Sequence, residues 1–309
     1  MVPRRPISGD RAGFLYCPPY RVHGISVAGE HTVVQIPELD VVFDLGSCPR
    51  FALSATVAAI SHGHMDHVGG IPYWFSQRHF QKMPVGRLVC PKPLADPLRR
   101  MMEGWVDVEK QRTPFQIDGL DDGDEIEIKP SVSLRAVQMS HAVPTLGYVA
   151  IERRSKLLPE LIGQPQDALR ERKMRGETIT YSMDIPLVAF TGDTDMHPGL
   201  LSDAFVEAPL ILSECTFFDE SHRDRARIGR HLHLRDLGVL LEAWKAKDVV
   251  LLHVSRRMSI EAAHNALVDF VGPEQAQRVH FLMDHRTNRA RWDAQREMMG
   301  ESVVDASRE

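Results

Sequence analysis

The apolar positions of the chain fall first into short extended runs and later into helical stripes. His31 to Ile36 and Val41 to Asp44 read as strands, with Pro37 and Asp40 marking the turn between them. Thr56 to Ile60 is another strand-like run, and it empties into a polar loop, Ser61 to Asp66, ahead of a helix expected from about His67 or Gly70. Leu88 to Cys90 forms the next strand. Between Asp96 and Lys110, Leu98, Met101, Met102 and Trp105 recur at helical spacing, most simply as a core-facing stripe. Glu125 to Ile128 and Val132 to Val137 alternate with period two, as half-buried strands do, and Gly147 to Ile151 resembles a third.

Residues 152–176 break this pattern. They carry seven basic residues against four acidic ones, a local charge of +3 in a chain whose net charge is -5. Strand-like runs resume at Pro186 to Phe190, Leu210 to Leu212 and Val249 to Leu252, each followed by a polar residue of the type chemistry needs. Gly238 to Lys245 and Glu261 to Phe270 read as amphipathic helices. A strand-rich half to about Ile151 and a second from about Thr180, each ending in helices, predict an α/β protein. The expected architecture is a four-layer αββα sandwich, one domain over residues 20–285, with 152–180 as a basic insertion and 286–309 as a loosely held tail.

Composition narrows the classes. At 43% hydrophobic and 26% charged the chain is ordinary for a globular protein, and its balance supplies no global basic field. The cysteines Cys17, Cys48, Cys90 and Cys215 are scattered without a C-x-x-C pair, which predicts reduced thiols and a cytoplasmic protein. No apolar stretch approaches a membrane span, and the first residues lack the apolar segment of a secretion signal, so no membrane association is expected. Histidine stands out, with 15 in the chain.

His62, His64, Asp66 and His67 lie within six residues. A regular helix would not bring them together, because His62 and His64 would point about 200° apart around its axis. In a tight loop both imidazoles can face one ion, while Asp66 and His67 reach a second. Two divalent ions need more ligands than this loop offers. His141, Asp193 and His253, each just after a strand, are the candidates.

The set His62-x-His64-x-Asp66-His67, His141, Gly192-Asp193-Thr194 and Leu252-His253-x-Ser255-x-Arg257 resembles the metallo-β-lactamase superfamily. Glu214 to Phe217, His231 to Leu234 and the Ser255-x-Arg257 segment narrow the resemblance to the short-form tRNase Z (ribonuclease Z) enzymes, which remove 3′ trailers from precursor tRNA. The resemblance implies that His62, His64 and His141 hold one Zn2+, and Asp66, His67 and His253 a second, with Asp193 bridging. Mn2+ or Fe2+ would suit the same ligands. Asp44, at the end of a strand before Gly46, reads as an acceptor for a ligand histidine's N–H and not as a ligand itself. A water between two cations loses its proton readily, and the resemblance implies that the resulting hydroxide attacks the phosphodiester. His231, positioned by Glu214, would protonate the departing 3′-oxygen, and Asp66 would take the water's proton. His233 reads as structural.

By the same resemblance, the insertion is a tRNA-gripping arm that would use Arg170, Arg172, Lys173 and Arg175, and the protein is a homodimer. Two departures stand out: Arg230 occupies a position where the family often has glycine, and Met258 replaces an aromatic residue. The rival function on this scaffold is hydrolysis of a small phosphodiester, lactone or thioester. A non-catalytic RNA-binding scaffold fits the full ligand set poorly.

Overall fold

The computed structural model describes residues 12–300. The first sheet runs β1 (Gly13–Cys17), β2 (Tyr20–Val27), β3 (His31–Ile36), β4 (Val41–Phe43), β5 (Val57–Ala59), β6 (Arg87–Pro91) and β7 (Gln116–Leu120), in that spatial order. The second comprises β8 (Glu125–Lys129), β9 (Val132–Gln138), β10 (Leu146–Leu157), β11 (Thr180–Phe190), β12 (Leu210–Glu214), β13 (Asp248–Leu252) and β14 (Val279–Phe281), also in sequential order.

Each sheet begins with four antiparallel strands and finishes with parallel ones: β4 to β7 in the first, β11 to β14 in the second. The chain is thus two copies of one pattern. The division falls between Leu120 and Glu125, earlier than the boundary near Ile151 expected from sequence, because β8 to β10 pair with β11 and not with the first sheet.

Parallel strands need crossovers, and helices supply them. In the first half these are α1 (Met65–Val68), α2 (Ile71–Phe80) and α3 (Lys92–Glu109). The second half carries α4 (Gln166–Met174), α5 (Asp203–Val206), α6 (Arg223–Gly229), α7 (Leu234–Ala243), α8 (Ile260–Ala276) and α9 (His285–Met298). One buried layer, including Val34, Phe43, Tyr148, Phe190 and Val250, fills the space between the sheets. A second layer packs α2 and α3 onto the first sheet through Trp74, Phe75 and Leu98, and a third packs α7 and α8 onto the other through Leu237, Leu241 and Leu267. This is the expected αββα order.

Two differences from the sequence expectation have simple causes. Strands β10 and β11 extend past Ile151 and start before Pro186 as a paired ribbon, Glu152 to Leu157 against Thr180 to Ile185. That ribbon is largely exposed, so neither face imposes an apolar alternation. Much of the stretch 286–309, expected to be a loose tail, belongs to α9: Asp284 caps it by accepting from the Thr287 N–H, and Trp292 packs edge-on against Phe14. One apolar anchor on an otherwise charged helix leaves little periodicity to read. The end of that predicted tail, 301–309, lies outside the described residues. Among the described residues no helix is long and apolar enough to cross a membrane, and all four cysteines are free thiols.

Candidate metal centre and acid pair

The parallel register gathers the chemistry at one end of the sandwich. Phe43 pairs with Ala59, Phe190 with Leu212, and Glu214 with Leu252. Consequently Asp44, His62, Asp193, Glu214 and His253 all leave their strands on the same edge. Open α/β sheets collect ligand sites at the carboxyl ends of parallel strands for this reason.

Local backbone then aims the side chains. Gly46 has no room for a Cβ, which would lie 1.8 Å from the Asp66 carbonyl oxygen, so glycine lets the β4 loop press against the metal-type loop. Gly192 adopts a positive φ of +60° against Ser61. His253 itself sits at φ 57° and Asp44 at φ 55°, left-handed conformations that cost a non-glycine residue on the order of 1 kcal/mol. Hydrogen bonds hold both in place. The His253 N–H donates to Ser26 Oγ at 2.8 Å, and Asp44 is fully buried, accepting from the Ser61 N–H at 2.7 Å.

The sequence candidates converge. His62 Nε2 lies 3.0 Å from His64 Nδ1, and His141 Nε2 lies 3.3 Å from the same atom. Donors held tetrahedrally about one zinc at ~2.05 Å sit about 3.4 Å apart, so this spacing suits a shared ion. His253 Nε2 and His67 Nε2 approach Asp66 Oδ2 at 3.5 and 3.6 Å, and Asp193 Oδ2 at 3.2 and 3.4 Å. The same Asp193 oxygen is 3.9 Å from His62 Nε2, which puts it between the two groups. The triads His62–His64–His141 and Asp66–His67–His253 each bring their donor atoms within 4.8 Å of one another.

The opposite ring nitrogens fix the tautomers. His67 Nδ1–H donates to Asp44 Oδ2 at 2.7 Å, His141 Nδ1–H to the Arg230 carbonyl at 2.9 Å, and His253 Nδ1–H to Thr216 Oγ1 at 3.0 Å. His62 Nδ1–H is satisfied by Ser61 Oγ, whose own hydrogen goes to Asp44. Nε2 of His67 and of His253 are buried with no hydrogen-bond partner. Orphaned acceptors of this kind are costly, and a cation is the partner they fit.

Electrostatics agree. Burial alone would keep His67 neutral, but the carboxylates of Asp193 and Asp44 outweigh it and raise its pKa well above the ordinary value. Burial works against the Asp193 charge too, yet the His253 and His67 rings hold its pKa well below the usual range. His62, buried and beside His67, is pushed down. Carboxylates that favour positive charge at a fully buried ring supply the negative potential a cation requires.

Beside this cluster, His231 Nδ1–H donates to Glu214 Oε1 at 3.0 Å and lies 3.9 Å from Asp193. Burial disfavours the imidazolium, but Glu214 and then Asp193 overcome it and raise the His231 pKa to about 9. Glu214 is itself fixed by the Thr194 N–H and the Thr216 hydroxyl, each at 2.7 Å. A cleft of about 560 Å³ opens at His231, bordered by Asp195, Met196, Arg223 and Arg227.

His233 points elsewhere and caps α7: its ring accepts from the Arg235 N–H while Asp236 accepts from the His233 N–H. Arg230 has φ 52°, the left-handed geometry that favours glycine, and its guanidinium and carbonyl both bond to His141. Sequence reasoning missed Ser26, Ser61, Thr194 and Thr216, which orient the predicted residues. Thr216 had a signal, lying two residues after Glu214 within the Glu214–Phe217 motif.

The arm candidates are far less constrained. Helix α4 buries no residue. Arg172 and Arg175 both bond to Glu177, at 3.0 and 2.8 Å, while Arg170 and Lys173 form no ion pair among the described residues.

Residues 51–277 match the family model described as anti-Pycsar protein Apyc1. The chain is 30% identical to tRNase Z TRZ1 of Arabidopsis thaliana over 251 residues, 80% of this chain and 90% of the relative. It is 29% identical to the chloroplastic tRNase Z TRZ2 of the same plant, covering 81% and 71%. Among solved structures, human short-form tRNase Z superposes with a TM-score of 0.52 at 16% identity, covering 87% and 93% of the two chains. The metallo-β-lactamase fold protein YhfI of Bacillus subtilis gives 0.56 at 12% identity, covering 83% and 93%. The fold is therefore that of the metallo-β-lactamases, and the chain belongs to the Apyc1 family and, with its curated relatives, to the tRNase Z (ribonuclease Z) enzymes built on that fold.

Proposed function

We propose that this protein is a metal-dependent endoribonuclease that removes 3′ trailers from precursor tRNA by hydrolysing one phosphodiester bond. The observation that carries this reading is the His231–Glu214 pair at 3.0 Å, set directly against a His/Asp cluster able to hold cations. The two Arabidopsis relatives, both named tRNase Z, supply the substrate.

The orphaned Nε2 atoms of His67 and His253 fit a bound metal. His62, His64 and His141 would hold one Zn2+, Asp66, His67 and His253 the other, with Asp193 shared. Bound there, the ions would acidify a water and draw electron density from the phosphate. Everything else falls to the chain. Asp66 Oδ2, steadied by the Gly29 N–H at 3.0 Å, accepts a proton from the attacking water. His231 carries its second proton on Nε2, because Nδ1–H is engaged with Glu214, and delivers it to the departing ribose 3′-oxygen. Glu214 keeps that ring charged and oriented until transfer. The products are a tRNA 3′-hydroxyl and a 5′-phosphorylated trailer.

In the same reading the hairpin of β10 and β11, with α4 at its tip, grips tRNA through Arg170, Arg172, Lys173 and Arg175. The domain proper covers 20–285. The protein works as a homodimer in the cytoplasm, where its free thiols stay reduced. A second reading, hydrolysis of a small phosphodiester at the same centre, is favoured by one observation: Glu177 already engages two of the four arm cations.

Purified protein incubated with 3′-extended precursor tRNA, beside a His231→Ala variant, tests the proposal. Wild type should release the trailer and the variant should not. Hydrolysis of small chromogenic diesters without precursor cleavage would reject the RNA substrate and keep the metal centre.

A further inference from the structure

A cavity of about 670 Å³ adjoins the centre and has no part in the mechanism above. Ile25 and Val27 of β2 wall one side, Met258 and Met283 another, and His31 and His285 stand at its border. It borders the backbone beside His253. Val254, which lines it, follows His253 directly, and Ser26, another lining residue, accepts the His253 N–H. The turn of the β2–β3 hairpin that forms its wall also donates Gly29 N–H to Asp66.

Its chemistry suits a neutral planar group better than a phosphate. Arg256, the lining cation with a permanent charge, is engaged by Glu30 at 2.8 Å, and the remaining lining is six apolar side chains with three serines and two imidazoles. Single-stranded RNA is recognised by such surfaces, its bases stacking on aromatic or histidine rings over apolar contacts. The volume exceeds what one base needs and falls within the usual range of small-ligand sites.

Direction follows from the acid. The 3′-oxygen that His231 protonates stays with the tRNA, so the tRNA body lies toward His231 and the cleft along α6. The trailer keeps the phosphate and must leave by another side, and this cavity is lined by Val254 and Ser255, next to His253. We propose that the cavity receives the base of the first trailer nucleotide and so sets which trailers are cut. This rests on the trailer-removing function proposed above.

The test compares two precursors, one normal and one with an abasic first trailer nucleotide. Stacking of one base is worth about 1–3 kcal/mol, so wild type should show a KM at least about fivefold higher for the abasic precursor. In Met258→Trp or Met283→Trp, where an indole fills the space, that ratio should fall to within about twofold of one. Equal KM values for wild type would overturn the cavity assignment alone, and this comparison stands whether or not the variants fold. A ratio that survives in both tryptophan variants, at unchanged thermal midpoint, would also overturn it. Failure of wild type to cut either precursor would reject the trailer-removing function and this subsite with it.

Discussion

The metal-type centre and the arm were both visible as departures from average composition, one in histidine and the other in positive charge, but they are built in opposite ways. At the centre His62, His67, His141, Asp193 and His253 are buried, and Nδ1 of His67, His141 and His253 is held by a partner from a distant part of the chain. On the arm every α4 side chain is at least partly exposed, and the ion pairs of Arg172 and Arg175 are local, within five residues. A buried network specifies atomic positions. An exposed helix on a two-stranded ribbon specifies only a reach and a charge. The first construction suits bond cleavage and the second suits tethering, so damage to the centre should appear in kcat and damage to the arm in KM.

The strongest test of that contrast is loss of the cations. Substituting His64→Ala, or removing metal with a chelator, should lower activity by on the order of a thousandfold and bring metal content down with it. The thermal midpoint should fall as well, since a ligand that binds only the folded state stabilises it. Unchanged metal content and midpoint would sink the ligand set. Next in size is His231→Ala, expected to cost about 10²–10⁴ in kcat with KM held. Because the acid must be protonated and its pKa is raised to about 9, wild-type kcat should stay level through neutral pH and decline as pH rises past about 9. A rate that keeps climbing above that point would remove His231 from the role of acid.

Thr216 offers a finer probe of the buried side. Its hydroxyl accepts from His253 and donates to Glu214, so one side chain ties the cation ligands to the acid pair. Thr216→Val keeps the shape but leaves buried polar atoms unpaired, at about 1–3 kcal/mol, and should lower kcat roughly tenfold or more. Thr216→Ser should restore most of it. Equal loss in both variants would mean that the methyl packing matters and the hydroxyl does not.

How much of this could be read in the sequence divides along the same line. Strand ends followed by His or Asp are local patterns, which is why His62, His64, Asp66, His67, His141, Asp193 and His253 could be nominated and later found together. The four-layer order was legible too, since alternating and helical periods survive wherever an element has one wet face. What escaped was non-local. Ser26 reaches His253 across 227 residues of sequence, and no periodicity marks a serine for that task. The division of the halves at Leu120 to Glu125 was hidden because strands do not record in their own residues which neighbour they pair with. The arm's length was hidden by its exposure.

On the arm, reversing the unpaired cations with Arg170→Glu and Lys173→Glu should raise KM for precursor tRNA about tenfold at moderate salt and flatten its salt dependence by up to two counterions. Hydrolysis of a small diester should not respond, and an unaffected precursor KM would return the segment to ordinary surface. The smallest effect is the most discriminating because its sign is unusual. Glu177 holds both Arg172 and Arg175, so it competes with any phosphate for them. Glu177→Gln removes that competitor while leaving both guanidinium groups in place. If the arm grips RNA, affinity for precursor should improve by about two- to threefold, in keeping with the few tenths of a kcal/mol that exposed ion pairs are worth, and the gain should shrink as salt rises. If the pairs merely brace an idle helix, the same change should leave affinity alone and loosen α4. Titration of precursor at two salt concentrations, read beside the protease sensitivity of the arm, distinguishes a tethering device from a decorated surface.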